Sequence, residues 1–168
     1  LPHSTACELR TYAQVHLAYF MGLRPIEISR ITLDDIAFTK GLLKLKIRKN
    51  NNPLELPIPE DTLKAITAYI IGGRPKTLYR SLFLIIWPIP TPMSANLTGY
   101  YLKKALQDAR LPGTAYWLRH TFAQNMLEAG AGLFEIKEML GHDTIESTRQ
   151  YLSIHTALMR RVLFDETV

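Results

Sequence analysis

A single change of repeat constrains this chain most. Over Leu43-Lys44-Leu45-Lys46-Ile47-Arg48, apolar and basic residues alternate without a break. That is the two-residue period of a strand with one buried face. On either side of it, apolar residues recur every three or four positions, the spacing of helices packed by one stripe. Lys49-Asn50-Asn51-Asn52-Pro53 has the composition of a turn, and Leu54-Glu55-Leu56-Pro57-Ile58 alternates again. The pattern predicts a hairpin, with a shorter strand around residues 36–38 as its third member. The expected fold class is therefore mixed, mainly α with a small three-stranded antiparallel sheet. The outer face of the middle strand carries Lys44, Lys46 and Arg48.

The helical stretches follow in order. Leu9, Ala13, Leu17 and Phe20 share one helical face, and Gly22 is a plausible stop. Arg24 precedes Pro25, and a residue before proline is pushed out of the helical region, so Arg24 stands at a junction. Pro25 is well placed to open a second, short helix to about Arg30, with Glu27 in its first turn. After Pro59, Leu63, Ile66, Thr67 and Ile70 share a face, and Gly72-Gly73 ends it. Residues 74–92, broken by prolines, read as a loop around a buried segment. Ser94 caps the next helix, whose inner face is Leu102, Ala105, Leu106 and Ala109. Pro112-Gly113 breaks it. Leu118, Phe122, Met126 and Ala129 line another helix, and a short one through Ile136 and Leu140 ends at Gly141. Asp143 and Glu146 have capping-box spacing and open a helix that would carry Tyr151. A last helix over about residues 156–163 closes the chain. No internal repeat and no interior linker is visible, so a single domain is expected.

Composition removes several classes of function. The 168 residues include one cysteine, Cys7, which excludes an intramolecular disulfide and argues against a cysteine-based zinc site. The five histidines, His3, His16, His120, His142 and His155, include no pair four residues apart, so no metal site is expected. The longest unbroken apolar run, residues 82–87, is too short to span a bilayer. No secretory signal opens the chain, and a cytoplasmic setting is expected. Neither a Gly-rich phosphate loop nor an HExxH pattern is present. The net charge of +5 is compatible with a polyanionic partner.

One ordered set of motifs stands out. Tyr116-Trp117-Leu118-Arg119-His120-Thr121-Phe122-Ala123 is followed by Leu140-Gly141-His142, and Tyr151 lies nine residues past that histidine. Upstream stands Gly22-Leu23-Arg24-Pro25-Ile26-Glu27. Together these resemble the catalytic domain of the tyrosine recombinases, the family of phage integrases and Xer-type recombinases, over about residues 8–159. The resemblance implies the catalytic-domain fold of that family for residues 1–168, without the family's N-terminal core-binding domain. It implies Arg24 and Arg119 as the two catalytic arginines, Lys49 as the lysine of the hairpin turn, His142 as the late histidine and Tyr151 as the nucleophile. The family's earlier histidine stands two residues before the Leu-Arg-His run, and here that position is Tyr116. A tyrosine can donate a hydrogen bond to phosphate but is a poor general base at neutral pH. Arg48, Lys103 and Lys104 are candidate DNA contacts. Taken singly, each of these residues also has an ordinary structural reading; the joint order is what points to chemistry.

The chemistry implied by the resemblance is attack of a tyrosine hydroxyl on a DNA phosphodiester, giving a 3′-phosphotyrosine and a free 5′-hydroxyl. Bond energy is conserved, so no ATP is needed and no cofactor or metal is expected. Two guanidiniums can clamp the oxygens on which charge develops, and a lysine can protonate the leaving oxygen. The implied partners are double-stranded DNA and further copies of the chain, as a tetramer on DNA, with a monomer possible alone and no membrane. Association with the nucleoid follows. Residues 156–168 would either pass to a neighbouring copy or pack on their own domain. Two other readings stand beside the recombinase: a type IB topoisomerase-like nicking and resealing enzyme, and an integrase-like DNA-binding domain with impaired catalysis, for which Tyr116 is the motive.

Overall fold

The computed structural model describes residues 3–46 and 54–141. Arg48, Lys49, His142, Tyr151, the Asp143–Glu146 spacing and the closing helix lie outside the described residues.

Six helices and five short strands are present among them. In chain order these are α1 (His3–Phe20), α2 (Pro25–Arg30), a 3-10 turn (Leu33–Asp35), β1 (Ile36–Ala37), β2 (Leu42–Leu45), β3 (Leu54–Pro57), α3 (Glu60–Gly72), β4 (Leu84–Ile85), β5 (Thr91–Pro92), α4 (Ala95–Asp108), α5 (Ala115–Glu128) and α6 (Leu133–Leu140). The expected three-stranded sheet is there, antiparallel in the order β1-β2-β3. Ile36 faces Leu43, which faces Leu56. These three, with Leu45 and Ile58, form the buried side of the sheet and join the main core. On the other side Lys44 lies across from Glu55, with an ion pair at 3.3 Å. Strict alternation has thus done what its period predicts, sending every second residue of the strand to water.

Helix α1 is the frame, packing against α3, α4 and α5. Its deepest side chains include Ala13, Leu17 and Ala18, and also Arg10. The Arg10 guanidinium lies 4.4 Å from the centre of the Tyr101 ring and donates to the Leu84 carbonyl at 3.0 Å, tying α1 to α4 and β4. Some helical faces are rotated from the sequence expectation. Phe20 is 45% exposed, because the stripe through Ala13 and Leu17 continues to Met21 rather than to the neighbouring position. In α3 the buried stripe runs through Thr62, Ala65, Ile66 and Tyr69, leaving Leu63, Thr67 and Ile70 on its flank. Ala109 and Ala129 are exposed C-caps of α4 and α5 rather than core residues.

Residues 74–92 are more ordered than a loop around a buried segment. Leu82, Phe83 and Leu84 are fully buried, and β4 pairs with β5 so that Leu84 faces Pro92 and Ile85 faces Thr91. Proline is tolerated there because the ribbon has only two strands and its outer edges need no partner. Tyr69 stacks on Phe83 with ring centres 5.6 Å apart, and its hydroxyl accepts a hydrogen bond from the Leu84 N–H at 3.3 Å. The ribbon leads straight into α4, where the Ser94 hydroxyl accepts from the Leu97 N–H as the cap expected there.

Two local devices set the approach to the site. Gly22 ends α1 in a left-handed conformation, φ +62°, and a Cβ built on it would lie 2.5 Å from Phe122 Cδ1 of α5. Beside α2, Asp35 accepts from the Thr32 N–H at 2.8 Å and its hydroxyl at 2.7 Å, and pairs with Lys46 at 2.7 Å. Burial pushes the Asp35 carboxyl up, but Lys46 and the two Thr32 donors together hold it below the usual carboxylate value.

Two outcomes follow. Gly22→Ala must meet both the ring and the left-handed backbone, and should lose about 2–4 kcal/mol in urea unfolding; an unchanged midpoint would contradict the close packing of α1 on α5. Because the folded Asp35 value is depressed, its contribution to stability is complete above the ordinary carboxylate value and is lost as pH falls through the lowered one. Asp35→Asn should therefore be less stable at neutral pH and flatter on the acid side, which urea midpoints measured across the acid range would reveal.

Candidate functional site

Arg24 stands at the mouth of α2, where its position before Pro25 makes its backbone extended, φ −74° and ψ 152°. That places its N–H and its side chain on the same side as the first helical turn. Glu27, three residues on, takes both: its Oε2 accepts from the Arg24 N–H at 2.7 Å and its Oε1 from the guanidinium at 3.4 Å. A second guanidinium Nη reaches the Gly141 carbonyl at 3.2 Å, 117 residues away in sequence.

Arg119 enters from α5 and is 4% exposed. Its Nη1 donates to the Gly22 carbonyl at 2.5 Å, and its Nη2 donates to the Leu140 carbonyl. Nη1 also lies 3.7 Å from Glu27 Oε2. Glu27 is itself buried, so one carboxylate holds both arginines. Helix α6 supplies the other anchor. Gly141 adopts φ +60° after the last residue of α6 and presents the Leu140 and Gly141 carbonyls to the two cations. The negative end of a helix is a favourable place for positive charge.

Both arginines open on one cleft of about 600 Å³, walled by Arg24 and Ile26, by Asn96 and Gly99 of α4, and by Tyr116 and Arg119 of α5. Tyr116 is 56% exposed on the first turn of α5, with the Thr114 hydroxyl accepting from its N–H at 3.3 Å. Its ring meets His120 edge-on. Burial, and then the neighbouring Arg119, lowers the His120 pKa and favours the uncharged imidazole.

Three of the residues singled out from sequence, Arg24, Arg119 and Tyr116, are thus brought together. His142 lies outside the described residues. Lys103 and Lys104 are exposed on α4 and do not line the cleft. Lys104 instead borders a separate groove between α1 and α4. From sequence alone Glu27 is only a first-turn acid. The signal for its larger role was its spacing of three from Arg24 across a helix-opening proline, the relation of a capping residue to the third helical position.

Among the described residues, no helix is long and apolar enough to cross a membrane, and no three His, Cys, Asp or Glu side chains gather as a metal site requires.

Removing the shared carboxylate leaves two guanidiniums facing each other in a half-buried site. Glu27→Ala should cost about 3 kcal/mol, and Glu27→Gln, which keeps an acceptor, about half as much. Chemical denaturation of the three proteins would show the order; equal stability of Glu27→Ala and the parent would remove the brace.

The chain is 31% identical over 158 residues to tyrosine recombinase XerD of Halalkalibacterium halodurans, covering 92% of this chain and 52% of that protein. It is also 31% identical over 165 residues to the putative integrase/recombinase y4rA of Sinorhizobium fredii, covering 95% of this chain and 40% of the relative. The chain therefore spans about half the length of the curated relatives it matches. In fold it is similar to XerA recombinase, with TM-score 0.75 at 21% identity over 89% of this chain and 55% of that one. It is similar also to XerH site-specific recombinase bound to a palindromic difH substrate in a post-cleavage complex, with TM-score 0.77 at 18% identity over 97% and 47%. Residues 2–157 match the model of the phage integrase family, and with two arginines from distant segments meeting in one cleft on the fold of recombinase catalytic domains, the chain belongs to that family.

Proposed function

We propose that this chain is the catalytic part of a tyrosine-type site-specific DNA recombinase. The observation that carries the reading is the convergence of Arg24 and Arg119 on one carboxylate beside one cleft. Guanidiniums are permanently charged, planar donors suited to the non-bridging oxygens of a phosphodiester. In this reading the Tyr151 hydroxyl attacks the phosphorus and passes its proton to His142. A 3′-phosphotyrosine bond forms as the bond to the 5′-oxygen breaks, and Lys49 supplies a proton to that leaving oxygen. The free 5′-hydroxyl of a partner strand reverses the step, so the sum of bonds is unchanged and no nucleotide triphosphate is required. The two arginines stabilise the charge that develops at five-coordinate phosphorus, and His142 orients the same group.

The surroundings agree with the task. Glu27 and the end of α6 hold the guanidiniums before any substrate arrives, so little reorganisation remains for the transition state. Lys44, Lys46 and Lys64 are each matched by at least one carboxylate, whereas Arg24 and Arg119 share the Glu27 carboxylate and keep a net positive charge between them. DNA binding by this chain alone should be weak and steeply dependent on salt. In the reading, longer protomers act as a tetramer on two DNA sites in the nucleoid, and residues 1–168 are the catalytic domain of each.

A second reading, DNA binding without cleavage, is favoured by one observation: a tyrosine, Tyr116, stands in the cleft where the family has a histidine.

The assay that separates them uses nicked duplex DNA from sequences flanking the parent gene, at low salt and in EDTA, with covalent protein–DNA bands read on a denaturing gel. The parent should form an adduct and Tyr151→Phe should form none. Arg119→Lys should slow formation about a hundredfold. An adduct that persists in Tyr151→Phe would contradict the proposed nucleophile, and a parent that binds DNA without any adduct would favour the second reading.

A further inference from the structure

A smaller recess lies at the other end of α2 from the arginine cleft. It holds about 140 Å³ and is walled by Arg30 from the last turn of α2, by Thr32 and Asp35, and by Lys44 and Lys46 of β2. Glu27 lines it too, and the same carboxylate holds Arg24 and Arg119 of the cleft. The first turn of α2 thus walls one cavity and its last turn the other. The volume suits one tetrahedral anion with a few waters and is too small for a nucleotide.

The charges around this recess do not cancel. Lys46 pairs with Asp35, whose other oxygen takes both Thr32 donors, so the buried carboxylate is already neutralised. Lys44 pairs with Glu55 across the strands, and both side chains are more than half exposed. Such a pair is held weakly, so the Lys44 ammonium can turn toward an incoming anion at little cost. Arg30 is exposed, and among the described residues its guanidinium has no carboxylate partner. It leaves the recess with one positive charge in excess. Spacing is fixed by α2. Arg24 and Arg30 are six residues apart, about 9 Å along a helix. Phosphates of one strand advance about 3.4 Å per step along a duplex. A strand laid along α2 therefore meets both cavities within a few nucleotides.

We infer that this recess is a second phosphate site, in which Arg30, flanked by Lys44, holds a non-scissile phosphate of the DNA strand whose scissile phosphate lies on Arg24 and Arg119. The inference rests on the phosphodiester reading given above. Contacts to phosphates position a duplex without reading its sequence. A single receptor cannot distinguish one phosphate of a strand from the next. Two receptors at a fixed separation on one helix set the direction of the strand as well as its place over the cleft. No bond is made or broken in the recess.

The test measures binding of the full chain to nicked duplex DNA by fluorescence anisotropy across a salt series. Arg30→Gln should weaken binding about tenfold at low salt and reduce the slope of log affinity against log salt by about one, the loss of one phosphate contact. Lys76→Gln removes the same charge at a residue that lines neither cavity, and should leave that slope unchanged. Glu55→Gln releases Lys44 and should tighten binding about threefold, a gain that a misfolded variant cannot give. A parental slope in Arg30→Gln, equal losses in Arg30→Gln and Lys76→Gln, or no gain in Glu55→Gln would each overturn the inference. The denaturing-gel assay keeps the two readings apart. An intact Tyr151-dependent adduct with no Arg30 effect overturns the second site alone, whereas an intact Arg30 effect with no adduct in the parent overturns the recombinase reading.

Discussion

One buried carboxylate between two guanidiniums governs the site. Left alone, Arg24 and Arg119 would repel one another in a region poor in water. Glu27 stands within 3.4 Å of one and 3.7 Å of the other, and it offsets that repulsion while leaving the three side chains with a formal charge of +1. A single phosphodiester carries the opposite charge. In the proposed reading such a group would bring the trio to neutrality, on a surface already assembled without it.

The rest of the fold can be understood as the means of delivering those three groups. Arg24 and Glu27 need only a proline-opened helix, which is local. Arg119 needs α5 to lie beside the turn after α1, and that depends on Gly22. Its left-handed conformation lets the chain reverse, its missing side chain lets Phe122 approach, and its carbonyl receives the Arg119 Nη1. Helix α6 then packs its Ile136 and Leu140 against Phe122 and Ala123 in a second, smaller core. That packing brings the helix end, with its carbonyls, onto both arginines. Hydrophobic contacts thus fix where α5 and α6 meet, and the polar contacts use the ends those contacts place.

Much of this was legible in the sequence because the elements are set by period and punctuation. The lysine–leucine alternation gave the sheet, and Pro25, Ser94 and Gly141 marked helix boundaries that the structure keeps. Sequence order also picked out Arg24, Arg119 and Tyr116, which share the cleft. Less was legible where tertiary packing overrides local pattern. The β4–β5 ribbon was hidden because proline at Pro92 breaks the alternation by which strands are recognised, and its pairing is visible only once Leu82, Phe83 and Leu84 are seen to be buried. Phe20 is apolar and on the right helix, yet one position of rotation puts it outside the core. The role of Glu27 is not legible in the sequence because its partner Arg119 lies 92 positions away, a distance over which spacing carries no information.

The central claim is that Arg24 and Arg119 act as one receptor for a backbone phosphate. Its most direct measurement is a titration of the isotopically labelled chain with nicked duplex DNA at low salt, following the side-chain Nε–Hε signals of the two arginines. The account predicts that both signals move together, with the same midpoint in DNA concentration, and that Glu27→Gln changes both. Movement of neither signal, or of one arginine at a different midpoint from the other, would contradict it.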